Sequence, residues 1–122
     1  GGTAGDIIGK DGSGVAFIGK VTTANQGSVF GVTMQCVEAP AGGSSDIDLF
    51  SATEGTGVND TAIGDLTETQ IINAGTQAAG TLTAGGDIAA DQFLYLVSQG
   101  TGDATYTAGR FLIEITGFDV AS

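Results

Sequence analysis

Carboxylates are the side chains in this sequence whose number could support chemistry, because 14 acidic residues stand against three basic residues and no histidine. A pair of carboxylates can hydrolyse a glycosidic bond, one acting as acid and the other as base or nucleophile. The candidates are Asp46 and Asp48, which share one face of a predicted strand, and Glu114 on a second strand. Sugar-cleaving sites usually also offer aromatic platforms, and this chain has no Trp and two Tyr. The sequence therefore favours a non-enzymatic protein without catalytic residues, in which Asp46 and Asp48 form a solvated face that discourages edge pairing.

The other common catalytic arrangements each lack a member. Without histidine, neither a Ser-His-Asp nor a Cys-His arrangement can form. The single cysteine, Cys36, can form neither a thiolate metal cage nor an intrachain disulfide. Lys10 and Lys20 each follow a glycine but lack the rest of a phosphate-binding loop. Because Cys36 lies in an alternating apolar run, we predict a buried, inert thiol.

Calcium is the metal that the composition would suit best. Carboxylate and carbonyl oxygens in tight turns can converge on a hard cation. Five aspartates lie beside glycine-rich turns: Asp6, Asp11, Asp60, Asp87 and Asp103. Aspartate is equally a common turn residue, and no EF-hand spacing is present. We therefore predict no cofactor and name no metal ligands, and leave calcium open.

The charge balance bears on the class of partner. A net charge of −11 repels nucleic-acid backbones and anionic membrane surfaces. No run of 18 apolar residues is present. We therefore expect neither a nucleic-acid nor a membrane partner. The acidic surface either serves only solubility or binds a basic partner. The one guanidinium, Arg110, is expected to pair with Glu114 on its own strand or with a carboxylate across the sheet.

The elements that would position these residues are short β-prone runs separated by turns. The chain contains 22 glycines without a collagen period, and turn signals recur about every ten residues. This pattern predicts an all-β protein, a single-domain, jelly-roll-like β-sandwich of seven or eight strands over residues 15–122. Residues 1–14 are predicted to form a flexible N-terminal arm. Its apolar pair, Ile7 and Ile8, would dock on the sheet edge of a neighbouring subunit, unless the segment is simply a loose terminus.

The predicted core is built on two dense apolar runs, 93–97 and 110–118, and on the alternating run 28–38. The final run is apolar on both faces and is predicted to be a central strand. The connection 98–109 exceeds the length of a tight hairpin, so we expect the two strands beside it to lie in opposite sheets. The core residues predicted from the alternation are Phe30, Val32, Met34, Phe93, Tyr95, Val97, Phe111, Ile113 and Ile115, with Cys36 on the same face as Met34.

One part of the chain is similar to a known group of proteins. The run Phe93-Leu94-Tyr95-Leu96-Val97 is followed by a Gly/Thr-rich loop and by Thr105-Tyr106-Thr107-Ala108-Gly109-Arg110-Phe111-Leu112-Ile113. This order resembles the C-terminal part of small virion structural proteins of marine tailed bacteriophages. The resemblance covers residues 47–118, with Arg110 where lysine is common in that group. The N-terminal third of the chain does not share it.

The resemblance implies a capsid decoration (cement) protein that stabilises the phage head. Such a protein would lie on the capsid surface of the virion, and its partners would be copies of itself, for example in a trimer, and a major capsid protein. An alternative is a subunit of an extracellular filament or surface layer assembled by exchange of strands or arms. A second alternative is a carbohydrate-binding β-sandwich module.

Overall fold

A computed structural model describes residues 3–10, 12, 14–100 and 105–118. Within these residues the chain forms eight antiparallel strands, one four-residue helix and one 3-10 turn, which confirms the predicted all-β class. No helix in this part of the chain has the length and apolar character needed to cross a bilayer. The elements are β1 (Asp6–Ile7), β2 (Gly19–Val21), α1 (Thr23–Gln26), β3 (Ser28–Ala41), β4 (Ile47–Ala52), the 3-10 turn (Ile63–Asp65), β5 (Glu68–Ile72), β6 (Leu82–Gly85), β7 (Gln92–Ser98) and β8 (Ala108–Phe118).

The larger sheet has five strands, four of which follow the order β1-β7-β4-β5. The short β2 also pairs with β7, next to Leu94, whereas β1 pairs near its other end, at Val97. Every residue of β4 is buried, because this strand lies between two neighbours and both of its faces are covered.

Three strands form the smaller sheet, in the order β6-β3-β8. The strands β7 and β8 therefore lie in different sheets, as the length of the connection between them predicted. The prediction that β8 is central is wrong, since β3 occupies the centre and β8 lies at an edge. No described segment covers the outward apolar residues of β8, and Leu112 and Phe118 are exposed.

Two apolar clusters lie on opposite faces of the larger sheet. The first lies between the two sheets and defines a sandwich-like core: Val21, Val29, Val32, Met34, Leu49, Ile72, Ile88 and Leu94. The second lies beneath the segments that precede β2 and β5, which contribute Ala16, Phe17, Ile63 and Leu66. Its buried strand residues are Ile7, Phe50, Ala52, Tyr95 and Val97. The larger sheet is thus covered on both faces, and the smaller sheet on one.

The N-terminal segment is not the free arm that its composition predicted. Ile7 is 1% exposed and belongs to the second cluster. Its amide donates to the Thr61 carbonyl at 2.8 Å, and the Ile8 amide donates to the Leu96 carbonyl at 2.9 Å. An apolar pair among glycines is compatible both with a docking arm and with a short strand of the chain's own sheet. In this structure both isoleucines pair within the chain.

Phe30 is the member of the predicted core that the structure places at the surface. A register shift between Val29 and Gly31 interrupts the pairing of β3 with β8. Such a bulge inserts one residue and reverses the alternation of faces beyond it. Val29 therefore enters the core, and Phe30 is 53% exposed.

Candidate functional site

The outward face of the smaller sheet carries most of the exposed large apolar side chains of the described residues. We call it the outer face and define it by Phe30, Val37, Leu82, Leu112 and Phe118, which are all about half exposed or more. Leu82 and Leu112 flank Gln35 directly across the three strands. The rings of Phe30 and Phe118 contact each other, with their centroids 5.7 Å apart. Large apolar side chains that share one exposed sheet face indicate a candidate interaction site, although polar side chains such as Gln35 and Glu114 lie among them.

An irregularity of β3 adds Phe30 to this outer face. The shift between Val29 and Gly31 turns Phe30 outward, whereas Val37, beside a second shift between Cys36 and Glu38, faces outward by ordinary alternation from the buried Cys36. Between them the regular alternation keeps Val32, Met34 and Cys36 buried. The middle of β3 therefore contributes side chains to the core, and the strand exposes a large apolar side chain near each register shift.

Polar groups frame the outer face along β8. Arg110 Nη2 lies 4.0 Å from Glu38 Oε2 on the neighbouring strand, which is one of the two pairings expected for Arg110. Both side chains are largely exposed, so the pair contributes little to stability. Glu114 lies opposite Thr33, on the same outward side of β8 as Leu112 and Arg110.

The far edge of β8 is the second open feature of the smaller sheet. Among the described residues, β8 pairs with β3 on one side and with no strand on the other. The strand is 11 residues long and contains no proline or lysine. Its free edge therefore offers a row of backbone donors and acceptors to a further strand, and Arg110 and Glu114 are its charged side chains.

An open cleft of about 680 Å³ lies where the starts of β3 and β5 approach the end of β4. Its lining is rich in hydroxyl groups and includes one carboxylate, Asp87, but no aromatic ring among the described residues. These hydroxyls could hydrogen-bond a polar ligand, whereas the stacking surface that sugars prefer is missing. The hydroxyl-bearing residues are Thr23, Ser28, Ser51, Thr53, Thr67 and Thr69.

Asp48 of β4 and Asp46, which precedes this strand, do not form the predicted solvated face. Asp48 is buried, and its Oδ1 accepts from the amides of Ala74 and Gly75 at 2.7 and 3.4 Å. Its Oδ2 accepts from Gln70 Nε2 at 2.8 Å. The carboxylate thereby fastens β5 and the chain that follows it to β4.

Asp46 immediately precedes β4 and lies in a less favourable setting. Its amide donates to Ser44 Oγ, but its buried Oδ1 has no hydrogen-bond partner. Burial, and secondarily the Asp48 carboxylate, raise the pKa of the Asp46 carboxyl. Asp46 and Asp48 therefore differ in environment, yet neither lies beside Glu114, which is on the smaller sheet.

The buried tyrosine of β7 joins the larger sheet to the loop that covers it. The Tyr95 hydroxyl donates to the Glu54 carbonyl at 2.7 Å and accepts from the Gly57 amide at 3.1 Å. Burial raises the pKa of this hydroxyl despite the opposing effect of the Gly57 amide. The Glu54 carboxylate in turn accepts from the amide and hydroxyl of Thr67, and these bonds lower its pKa.

Cys36 is buried in β3, as its position in the apolar run predicted. Its Sγ donates to the Glu38 carbonyl at 3.3 Å. Burial, with a smaller contribution from the Glu38 charge, raises the pKa of the thiol. A buried thiol with a raised pKa is a poor nucleophile.

The aspartates considered for calcium do not converge in the described part of the chain, where no three His, Cys, Asp or Glu side chains form a group able to hold a metal. Asp6 is instead buried, and its Oδ2 accepts from the Thr3 amide. Asp60 occupies a left-handed turn, with φ of 66°. Asp11 and Asp103 lie outside the described residues.

The remaining predicted core residues are buried or partly buried, and they are divided between the two clusters. Val32, Met34, Tyr95 and Val97 are buried. Phe93 packs partly buried against the second cluster, and Phe111, Ile113 and Ile115 pack partly buried against the first because β8 is an edge strand. Sequence reasoning missed Phe30 on the outer face because a bulge leaves no mark in simple alternation, and it missed the exposure of Leu112 because it placed β8 at the centre of a sheet.

No family model, curated protein or solved structure matches the chain.

Proposed function

We propose that this chain is a non-enzymatic virion structural protein that decorates and stabilises a phage head. The observation that carries the proposal is the outer face, a set of large apolar side chains on an otherwise acidic protein. A decoration protein acts by adding buried interface to a lattice and needs no catalytic group. The resemblance of residues 47–118 to small virion proteins supports the same role.

The chemistry of the outer face also describes the partner. A net charge of −11 disfavours an acidic docking surface, so a major capsid protein would offer an apolar patch with a basic surround. The exposed Phe30–Phe118 pair would supply the aromatic anchor. Self-association, for example as a trimer, belongs to the same proposal.

Immunogold electron microscopy of particles from the source tests this role directly. An antibody raised against the chain is expected to label phage heads over their whole surface. Label along filaments would instead support a filament or surface-layer subunit, and label on neither would overturn both structural readings.

A binding experiment tests the outer face itself. The double variant F30S/F118S is expected to bind heads lacking the protein at least tenfold more weakly than the unchanged chain, because about half of each ring is free to be buried. Val58→Ser, which removes an exposed apolar side chain outside the outer face, is the control and should bind normally. Equal binding by all three proteins would contradict the assignment of this surface.

The hydroxyl-lined cleft favours a carbohydrate-binding module as the second candidate function. A glycan array separates the two. Specific binding to one glycan, abolished by Asp87→Ala, would favour the module. Absence of signal would leave the decoration role as the better proposal. The filament alternative has less support, because β1 is paired within its own chain.

A further inference from the structure

The free edge of β8 carries a pattern that is complementary to itself. Arg110, Leu112 and Glu114 occupy alternate positions and all point outward from the smaller sheet. The cation and the anion are therefore equally spaced on either side of an exposed leucine. A strand with this order is complementary to an antiparallel copy of itself.

We propose that two copies of this chain pair through β8, antiparallel and about a two-fold axis at Leu112, to join their smaller sheets into one six-stranded sheet. The inference rests on the homo-oligomeric part of the proposed function, replaces the trimer given there by a two-fold pair, and names the strand and register. In this register Arg110 of each copy lies opposite Glu114 of the other, so the interface contains two opposite-charge pairs. The two Leu112 side chains meet at the centre.

Charge selects this register over its neighbours. A two-fold axis at Glu114 would place the two glutamates opposite each other, and an axis at Arg110 would do the same to the two arginines. Like charges directly opposite in a sheet are destabilising. With an axis at residue 111 or 113, Arg110 of one copy would not lie opposite Glu114 of the other. Leu112 is thus the position that satisfies both charges.

The inward side of β8 supports the same arrangement. Phe111, Ile113 and Ile115 pack against the first core cluster but remain partly exposed at the sheet edge. In the proposed register Phe111 of one copy lies opposite Ile113 of the other. Pairing would therefore bury apolar surface on both faces while it satisfies the backbone groups of the edge.

Closed two-fold symmetry also explains how a free edge can be used without uncontrolled growth. Each copy has one long open edge in the smaller sheet, and the opposite edge strand β6 has four residues. Pairing of β8 with β8 consumes the long edge in both copies, so the assembly ends at two. The outer faces of the two copies would then form one continuous surface.

Sedimentation equilibrium of the purified chain, from about 10 µM to about 1 mM at physiological salt, tests the inference. A monomer–dimer equilibrium is expected. Arg110→Glu and Glu114→Arg should each weaken the dimer at least about tenfold, because each replaces two attractions by two repulsions. The double variant R110E/E114R restores opposite charges and should recover most of the affinity.

Matched controls separate the register from net charge. Lys20→Glu on β2 and Glu68→Arg on β5 make the same charge changes on exposed positions of the larger sheet, and should dimerise normally. Circular dichroism confirms folding, and if either β8 variant fails to fold, Arg110→Gln and Glu114→Gln replace them. A monomer at every concentration, a trimer, or a double variant without recovery would overturn the inference. None of these results decides whether the chain binds a capsid, which the labelled particles decide separately.

Discussion

The two sheets of this molecule differ in how much of their surface is covered by other parts of the chain. The larger sheet is covered on both faces, and the polar groups that it buries are mostly bound, as with Asp48 and the Tyr95 hydroxyl. The smaller sheet is covered on one face only. Among the described residues, its other face carries exposed apolar side chains and the long strand β8 lies at its edge. We therefore expect stability to depend mainly on the larger sheet, while the smaller sheet retains surface that a partner can bury.

Removal of a side chain from the larger sheet tests this division most strongly. Leu49 is fully buried in β4, so Leu49→Ala should lower the free energy of unfolding by about 3 kcal/mol through lost burial and a residual cavity. Leu82→Ala on the outer face, where the side chain is 63% exposed, should cost less than about 0.5 kcal/mol. Urea titrations at low protein concentration measure both, and similar losses would refute the division.

The buried carboxylate of β4 gives the next largest effect. Asp48→Asn keeps the shape but replaces an acceptor by a donor that faces existing donors, so we expect a loss of about 2 kcal/mol. Asp65→Asn on the exposed 3-10 turn serves as the isosteric control and should be nearly neutral. If the Asp48 variant unfolds at the same urea concentration as the control, the carboxylate does not fasten β5 to β4.

Removal or addition of one hydroxyl group tests the same difference between the two sheets. Tyr95→Phe removes the bonds to the Glu54 carbonyl and the Gly57 amide and should cost about 1 to 2 kcal/mol. The converse change on the smaller sheet, Phe30→Tyr, adds a hydroxyl to a ring that water already reaches, and should leave thermal stability unchanged. A destabilised Phe30→Tyr chain would mean that the outer face is packed in solution.

The smallest effect concerns pH. Asp46 binds its proton more readily in the folded than in the unfolded chain, because burial and Asp48 raise its folded pKa. Its unfavourable contribution is therefore largest above the folded pKa, and is lost as pH falls from neutrality through that raised value towards 3.8, the ordinary value. Asp46→Asn should remove this dependence, so its stability relative to the unchanged chain should be greatest near neutral pH. A difference independent of pH would contradict the raised pKa.

Local patterns in the sequence predicted the parts of the fold that depend on alternation. The burial of Met34 and Val97 and the separation of β7 and β8 into two sheets follow from side-chain period and loop length. Phe30 was misplaced because a bulge changes the register by backbone geometry, which residue types do not encode. The edge position of β8 was missed because exposed and doubly buried apolar strands have the same composition.

The polar residues show a different limit. Asp48 was expected to face water because a charged side chain in a strand usually does. Its burial depends on Ala74 and Gly75, whose amides reach it only through the turn after β5. Likewise, Ile7 and Ile8 could serve an arm or a strand, and the choice depends on β7, which lies far along the chain. Such tertiary partners cannot be deduced from local sequence.

The pairing of β3 with β8 also sets an order of events during synthesis. Their register joins Val29 to Gly117 and Ala41 to Ala108, so residues 42–107, more than half of the chain, lie between the two strands. Contacts between such distant segments form late, because the long intervening chain must first be closed into a loop. Every strand of the larger sheet precedes β8 in the chain, so the larger sheet can form before β8 joins β3. Newly made chains would present neither Leu112 nor its flanking charges as an ordered edge until β8 has emerged, which delays assembly until the stable sheet has formed.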